Sequence, residues 1–159
     1  MAGGDGNGWV QCRCGHKHWG RYGAAGLALV RTAPRPQILL QLRAEWTHEG
    51  GTWGLVGGAR DSHETVAEAA LREAGEEAEV DPDLVTVVAE LVGADHVDWS
   101  YTYVIGLAAD GLTVADVTPE SDALEWVDLD AVAERTLHSA FATSWPRLLE
   151  AVREVLKNL

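Results

Sequence analysis

Three glutamates at helical spacing, Glu73, Glu76 and Glu77, are the residues of this 159-residue chain most able to do chemistry together. Positions three and four apart on a helix share one side, so the three carboxylates converge across two turns. Like charges so placed repel and destabilise an isolated helix, and the arrangement asks for a compensating cation. Hard oxygen donors of this kind suit Mg²⁺ or Mn²⁺. Gly57 and Gly58 come ahead of the acids and Arg72 stands beside them. A merely solvated acidic face, the ordinary fate of a glutamate-rich helix, needs neither.

The element that must position these acids is a helix with a narrow apolar side. Val66, Ala70, Ala74 and Ala78 recur every fourth residue and form a ridge of small side chains able to lie close against a sheet, widened by Ala67 and Leu71. Asp61 and Glu64 are spaced as a capping box, which predicts a helix beginning near Ser62 and ending near Ala78. Gly75, inside the acid cluster, costs such a helix about 1 kcal/mol relative to alanine.

Residues 58–80 resemble the Nudix box, Gly-x5-Glu-x7-Arg-Glu-U-x-Glu-Glu-x-Gly-U with U a bulky apolar residue. Gly58 is followed after five residues by Glu64, after seven more by Arg72 and Glu73, and then by Glu76, Glu77 and Val80. Ala74 stands at the first U position and Glu79 where the family has glycine. Immediately upstream, Trp53, Leu55, Gly57 and Gly58 resemble the family's Trp-x-Leu-Pro-Gly-Gly, with Val56 replacing proline. The resemblance implies hydrolysis of a nucleoside diphosphate linked to another moiety, by attack of water on a phosphorus, with Mg²⁺ or Mn²⁺ as cofactor. Carried over by position, it makes Glu73, Glu76 and Glu77 metal ligands and the Gly57 carbonyl a further one. Arg72 becomes the fork that orients carboxylates through paired hydrogen bonds, and Glu64 a supporting acid. The general base varies within the family. Glu76 or Glu77 is one choice, and Glu120, in the loop 118–122, reaching in from outside the box is the other.

Composition sets the class. Twelve Lys and Arg against twenty-five Asp and Glu give a formal charge of −13, which opposes binding to a nucleic-acid polymer or an anionic membrane and leaves a small nucleotide as the expected partner. A homodimer is compatible with this composition. With 47% hydrophobic residues the chain can bury one core, so residues 9–159 are expected to form a single domain after a flexible start at 1–8. The sequence has no apolar run of membrane-spanning length, and its first residues lack the basic and apolar regions of a signal peptide; the expected location is cytoplasmic.

Cys12, Cys14, His16 and His18 fall on alternate positions and would share one face of an extended segment. Two cysteines and two histidines raise zinc, yet zinc ligand pairs are usually separated by a longer loop. The expectation is an entry strand with reduced thiols and well under one zinc per chain. Apolar runs predict strands at 23–30 and 38–42, paired as a hairpin across the prolines between them, then at 52–56, 85–93, 97–109 and 124–127. A turn is expected at 94–96, a short helix at 129–135 and a terminal helix at 145–156 with Pro146 in its first turn. This order gives an α/β/α sandwich around a mixed β-sheet, which the Nudix resemblance also implies. Along the longest strand Trp99, Tyr101, Tyr103, Ile105 and Leu107 alternate onto one face. Tyr101 and Tyr103 are the candidates there for stacking a nucleobase, with ordinary core as the competing role.

Substrate choice lies outside the box. A proline pattern for ADP-ribose enzymes and a tyrosine pattern for dinucleoside polyphosphate enzymes are both missing near 94–97. What is left is a MutT-like pyrophosphohydrolase that cuts a (d)NTP or modified (d)NTP to the monophosphate and pyrophosphate. Hydrolysis of ADP-ribose or another nucleoside diphosphate derivative is the alternative. A non-catalytic nucleotide-binding sensor is a different class, opposed by the intact acids, and a zinc-stabilised interaction module built on residues 12–18 is a third.

Overall fold

The computed structural model describes residues 4–159; the first part of the expected flexible start, residues 1–3, lies outside them. From Gly4 onward the start is held rather than loose. Gly6 is buried and its N–H donates to Asp61 Oδ1 at 2.9 Å, Arg21 N–H donates to the Gly6 carbonyl at 2.7 Å, and Asp5 Oδ1 accepts from Ser62 N–H at 2.8 Å.

Two short strands, β1 (Trp9–Gln11) and β2 (Lys17–Trp19), form a separate antiparallel hairpin. The main sheet is built on β3 (Ala24–Arg31), whose small and apolar residues are buried on both faces over most of its length. β3 meets β4 (Gln37–Arg43) through Val30 and Arg31, as the hairpin reading requires, and then the two strands take different partners. β4 continues against β5 (Trp53–Gly54) and β9 (Ser121–Asp128), while β3 continues against β6 (Val56–Ala59). On its other edge β3 runs parallel to β8 (Trp99–Ala108), itself antiparallel to β7 (Val85–His96). The sheet is therefore mixed.

Each face is covered by one long helix. α1 (Val66–Ala78) sets Ala69, Ala70, Ala74 and Ala78 against Leu27, Leu29, Val56 and Val104, so the alanine ridge lets the helix sit close to the sheet. On the opposite face α2 (Ser139–Lys157) places Phe141, Trp145, Leu148 and Val152 against Val30, Ile38, Leu40 and Ile105. Among the described residues, no helix is long and apolar enough to cross a membrane.

Several boundaries differ from the sequence expectation, each because of a specific contact. α1 begins at Val66 because Thr65 is its N-cap, paired reciprocally with Glu68 at 3.1 and 2.8 Å. Glu64 Oε1 does accept the Asp61 N–H at 2.9 Å, but both oxygens of that carboxylate also face Arg72 instead of a helix start. α2 begins at Ser139, where His138 Nδ1 and the Glu49 carboxylate receive the first N–H groups, so Pro146 lies inside the helix. The turn between β7 and β8 falls at Val97 and Asp98 rather than 94–96, since Asp95 and His96 still pair with Ser100 and Trp99.

α1 ends on Glu79, exposed and in the left-handed region at φ 53°, its N–H donating to the Ala74 and Gly75 carbonyls. A Cβ strains that conformation, and glycine does not carry one. Glu79→Gly is expected to raise the unfolding free energy by about 1 kcal/mol, read as a higher urea midpoint. An unchanged or lower midpoint would show that this helix end is unstrained.

Candidate active site

β6 brings Gly57 and Gly58 alongside β3, in register with Gly26 and Ala25. A Cβ at Gly57 would clash with the Ala25 carbonyl, and one at Gly58 would sit 2.7 Å from Glu73 Cδ and 2.8 Å from its Oε1. The glycine pair is thus a packing requirement. It lets β6 approach β3 and lets the Glu73 carboxylate descend onto the strand backbone.

Arg72 organises the acids around it. Its Nε donates to Glu64 Oε2 at 2.6 Å and its Nη2 to Glu64 Oε1 and the Ala59 carbonyl, both at 2.9 Å. Nη1 donates to Glu73 Oε1 at 2.9 Å and reaches Glu76 Oε2 at 3.5 Å. Asp61 Oδ2 lies 3.7 Å from Nη2. The planar fork thereby ties the helix to the end of β6 and to the loop that follows it, a geometry an ammonium cannot reproduce. Hydrogen bonds from Arg72 hold the Glu64 carboxyl below the usual range, and those same bonds raise the proton affinity of the guanidinium.

Glu77 stands outside the fork. Burial first, and then the charge of Glu73, push its carboxyl up to about 9, while Gln41 Nε2, at 3.4 Å, acts the other way. Glu76 is also raised, by burial and by Glu73. Clustered carboxylates that resist ionising together constitute a site short of positive charge, which one arginine only partly supplies. Oxygen donors from Glu73, Glu76 and Glu77 next to the backbone of a glycine strand fit Mg²⁺ or Mn²⁺. The neighbouring group Asp61, His63 and Glu64, rather than the three helix glutamates, brings its ligand atoms within 4.8 Å of one another, but Asp61 is bonded to Gly6 and Glu64 to Arg72. Those acids are engaged in holding the loop.

Glu120 lies exposed in the loop before β9, where its carbonyl accepts the Ala44 N–H at 2.9 Å, and its charge is among those that raise Glu77. The tyrosines are placed differently from the stacking expectation. Tyr103 is 4% exposed, edge-on to Tyr101 at 5.1 Å between ring centres and packed near Phe141, so it has no open face for a base. Tyr101 lies over Gly26, where a Cβ would collide with its hydroxyl, and burial raises its phenol. Its neighbours in charge are Glu77 and Arg43. Tyr103 therefore belongs to the sheet's packing, while Tyr101 is half-buried at the edge of the same cluster.

Gln41 and Arg43 were not singled out from the sequence. Gln41 falls two positions after Leu39 on β4 and reaches Glu77 of α1, and Arg43 follows at the end of the strand. Two polar residues two positions apart at the end of an apolar strand were the available signal.

The NUDIX domain profile matches residues 21–148 of the chain. A Mycobacterium tuberculosis protein named "Putative 8-oxo-dGTP diphosphatase 3" is 49% identical, with 93% of this chain and 71% of that protein covered. The crystal structure of RenU, a Nudix hydrolase from M. smegmatis, superposes with a TM-score of 0.88 at 44% identity, covering 94% of this chain and 97% of that one. A Caenorhabditis elegans Ap4A hydrolase shares the fold at a TM-score of 0.70 and 21% identity, over 86% of this chain and 99% of that one.

The raised Glu77 gives the cation-free protein a characteristic pH response. Its carboxyl titrates near 4.5 in the unfolded chain and about 9 in the fold, so the folded state binds the proton more tightly and this contribution to stability is lost as pH rises between those values. In the presence of chelator, the melting temperature is expected to fall between about pH 5 and pH 8, and Glu77→Gln, which cannot ionise, should flatten that fall. Equal slopes for the two proteins would remove Glu77 from the account.

Proposed function

The chain belongs to the NUDIX domain family, and from that premise we propose a nucleotide pyrophosphohydrolase that cleaves a (d)NTP or modified (d)NTP to the monophosphate and pyrophosphate. The observation that carries this reading is the acid cluster itself: Glu73, Glu76 and Glu77 on one side of α1, the first two bonded by Arg72, with Glu73 against Gly58 and Glu77 short of a cation. The modified-nucleotide form of the reading is supported by the name of the M. tuberculosis relative at 49% identity. A cytoplasmic location accords with a small, anionic nucleotide substrate.

In this proposal divalent cations, when bound, neutralise phosphate charge and make water more acidic. The remaining work falls to side chains. Glu73, Glu76, Glu77 and the Gly57 carbonyl hold the cations, and Arg72 with Glu64 keeps those carboxylates in place before substrate arrives. A carboxylate whose lone pairs are given to cations is a weak proton acceptor. Glu120, solvent-facing and close enough for its charge to act on Glu77, is the better placed base. Glu76 and Glu77 are the alternative bases only if one of them is left uncoordinated.

The test is a screen of canonical and oxidised nucleoside triphosphates and of ADP-ribose with Mg²⁺ or Mn²⁺, in ¹⁸O water, with products identified. The expected outcome is a monophosphate and pyrophosphate from at least one triphosphate, with the label on a single phosphorus. Glu76→Gln should lower kcat by about a hundredfold or more, and Glu120→Gln by about a hundredfold with little change in cation affinity. Wild-type turnover in Glu120→Gln returns the base to the helix. Cleavage of ADP-ribose alone replaces the triphosphate, and no cleavage of any compound favours a nucleotide sensor.

A further inference from the structure

The β1–β2 hairpin holds a second cluster that the nucleotide chemistry does not use. Between the strands the chain does not run extended, as the alternation of Cys12, Cys14, His16 and His18 suggests, but closes a tight turn. Cys12 N–H donates to the His16 carbonyl at 3.0 Å and Gly15 N–H to the Cys12 carbonyl at 3.1 Å, with Gly15 at φ 96°. The fold-back brings Cys12 Sγ, Cys14 Sγ and a ring nitrogen of His18 within 4.8 Å of one another, and Cys14 Sγ lies 3.2 Å from His18 Nε2.

Three further features belong to a built metal site rather than to a chance meeting of polar groups. Two backbone N–H groups, of Cys14 at 3.3 Å and Asp98 at 3.4 Å, donate to Cys12 Sγ, which is buried, and such donors favour a thiolate. His18 is fixed in plane by stacking on Trp99 and on His96, each at 4.5 Å between ring centres. Arg13, between the two cysteines, is paired through two nitrogens with Asp98 on the β7–β8 turn. The hairpin is thus clamped on both sides of the cluster.

We propose that Cys12, Cys14 and His18 bind a zinc ion that closes the β1–β2 hairpin beside the β7–β8 turn. Ligand atoms around a tetrahedral zinc stand about 3.5 to 3.8 Å apart, from Zn–S and Zn–N bonds of about 2.3 and 2.0 Å. The observed Cys14 Sγ to His18 Nε2 distance of 3.2 Å is within a few tenths of an ångström of that spacing, and all three ligand atoms lie within 4.8 Å of one another. The separate ligand loop that zinc sites usually have is replaced here by the hairpin's return strand, which delivers His18 opposite the cysteine turn. The fourth corner falls to water or to His16, exposed on the same turn and near enough to His18 for the two charges to oppose each other. Soft thiolates select zinc over Mg²⁺, so this site and the glutamate cluster take different ions. A lone two-stranded hairpin is marginal in water, which gives the ion a structural purpose.

The experiment uses the full chain, expressed with zinc and purified with a non-chelating reductant. Elemental analysis should find about one zinc per chain. After removal of zinc, Co²⁺ should restore a tetrahedral ligand-field spectrum with a thiolate-to-cobalt charge-transfer band. Cys14→Ser and His18→Ala should lose the stoichiometric metal and the band, whereas a Glu73→Gln, Glu76→Gln, Glu77→Gln triple variant should keep both. Wild-type protein with bare thiols and no charge-transfer band on adding Co²⁺ would overturn the proposal without reference to any variant. A band that survives Cys14→Ser would do the same.

Discussion

A single guanidinium stands between the acids of α1 and the strand they must face. Arg72 meets Glu64 through two nitrogens and Glu73 through a third, while keeping one bond for the Ala59 carbonyl at the end of β6. Helix, strand and the intervening loop are therefore tied at one planar group. Without it, Glu64 would be a buried carboxylate with a single N–H donor, and Glu73 and Glu76 would repel each other unopposed. Removing the central member of such a partly buried network leaves the others uncompensated. The arginine also stops short of neutralising the cluster. Glu77 is left with raised proton affinity beside Gln41, and that residual deficit is what a divalent cation would fill.

The fork works only because the backbone beneath it is thin. Alanines on the inner side of α1 bring the helix close to the sheet, and glycines at 57 and 58 let the Glu73 carboxylate rest on β6. The mixed sheet then fixes the relative height of every participant. β3 carries β6 on one edge and β8 on the other, so the acids, Gln41 of β4 and Tyr101 of β8 are placed by the same set of strands. Tyr101 and Tyr103 show the consequence on the far face: with α2 packed there, Tyr103 is enclosed.

Features set by local chemistry were legible in the sequence. The spacing of the acids, the alanine ridge and the sandwich of a mixed sheet all follow from periodicity or from the motif. What the sequence did not yield depends on contacts that leave no periodic pattern. Asp61 with Glu64 and Thr65 with Glu68 are both spaced as capping boxes, and Arg72, eight residues beyond Glu64, decides between them. Alternation put the tyrosines on one face but could not say that a helix would cover it. Alternation also failed at Cys12, because a turn, unlike a strand, is closed by hydrogen bonds that leave no period in the sequence.

The claim that Arg72 prepares the acid cluster for a cation is tested most directly by titrating Mn²⁺ into nucleotide-free protein, followed by the paramagnetic resonance signal of free Mn²⁺. Arg72→Lys keeps the charge and loses the fork. With the fold intact by circular dichroism, this variant is predicted to bind Mn²⁺ about tenfold to a hundredfold more weakly than wild type, the usual effect of removing a group that orients metal ligands. Equal affinity in the two proteins would contradict the account, since it would show that the carboxylates find the cation without the arginine that holds them.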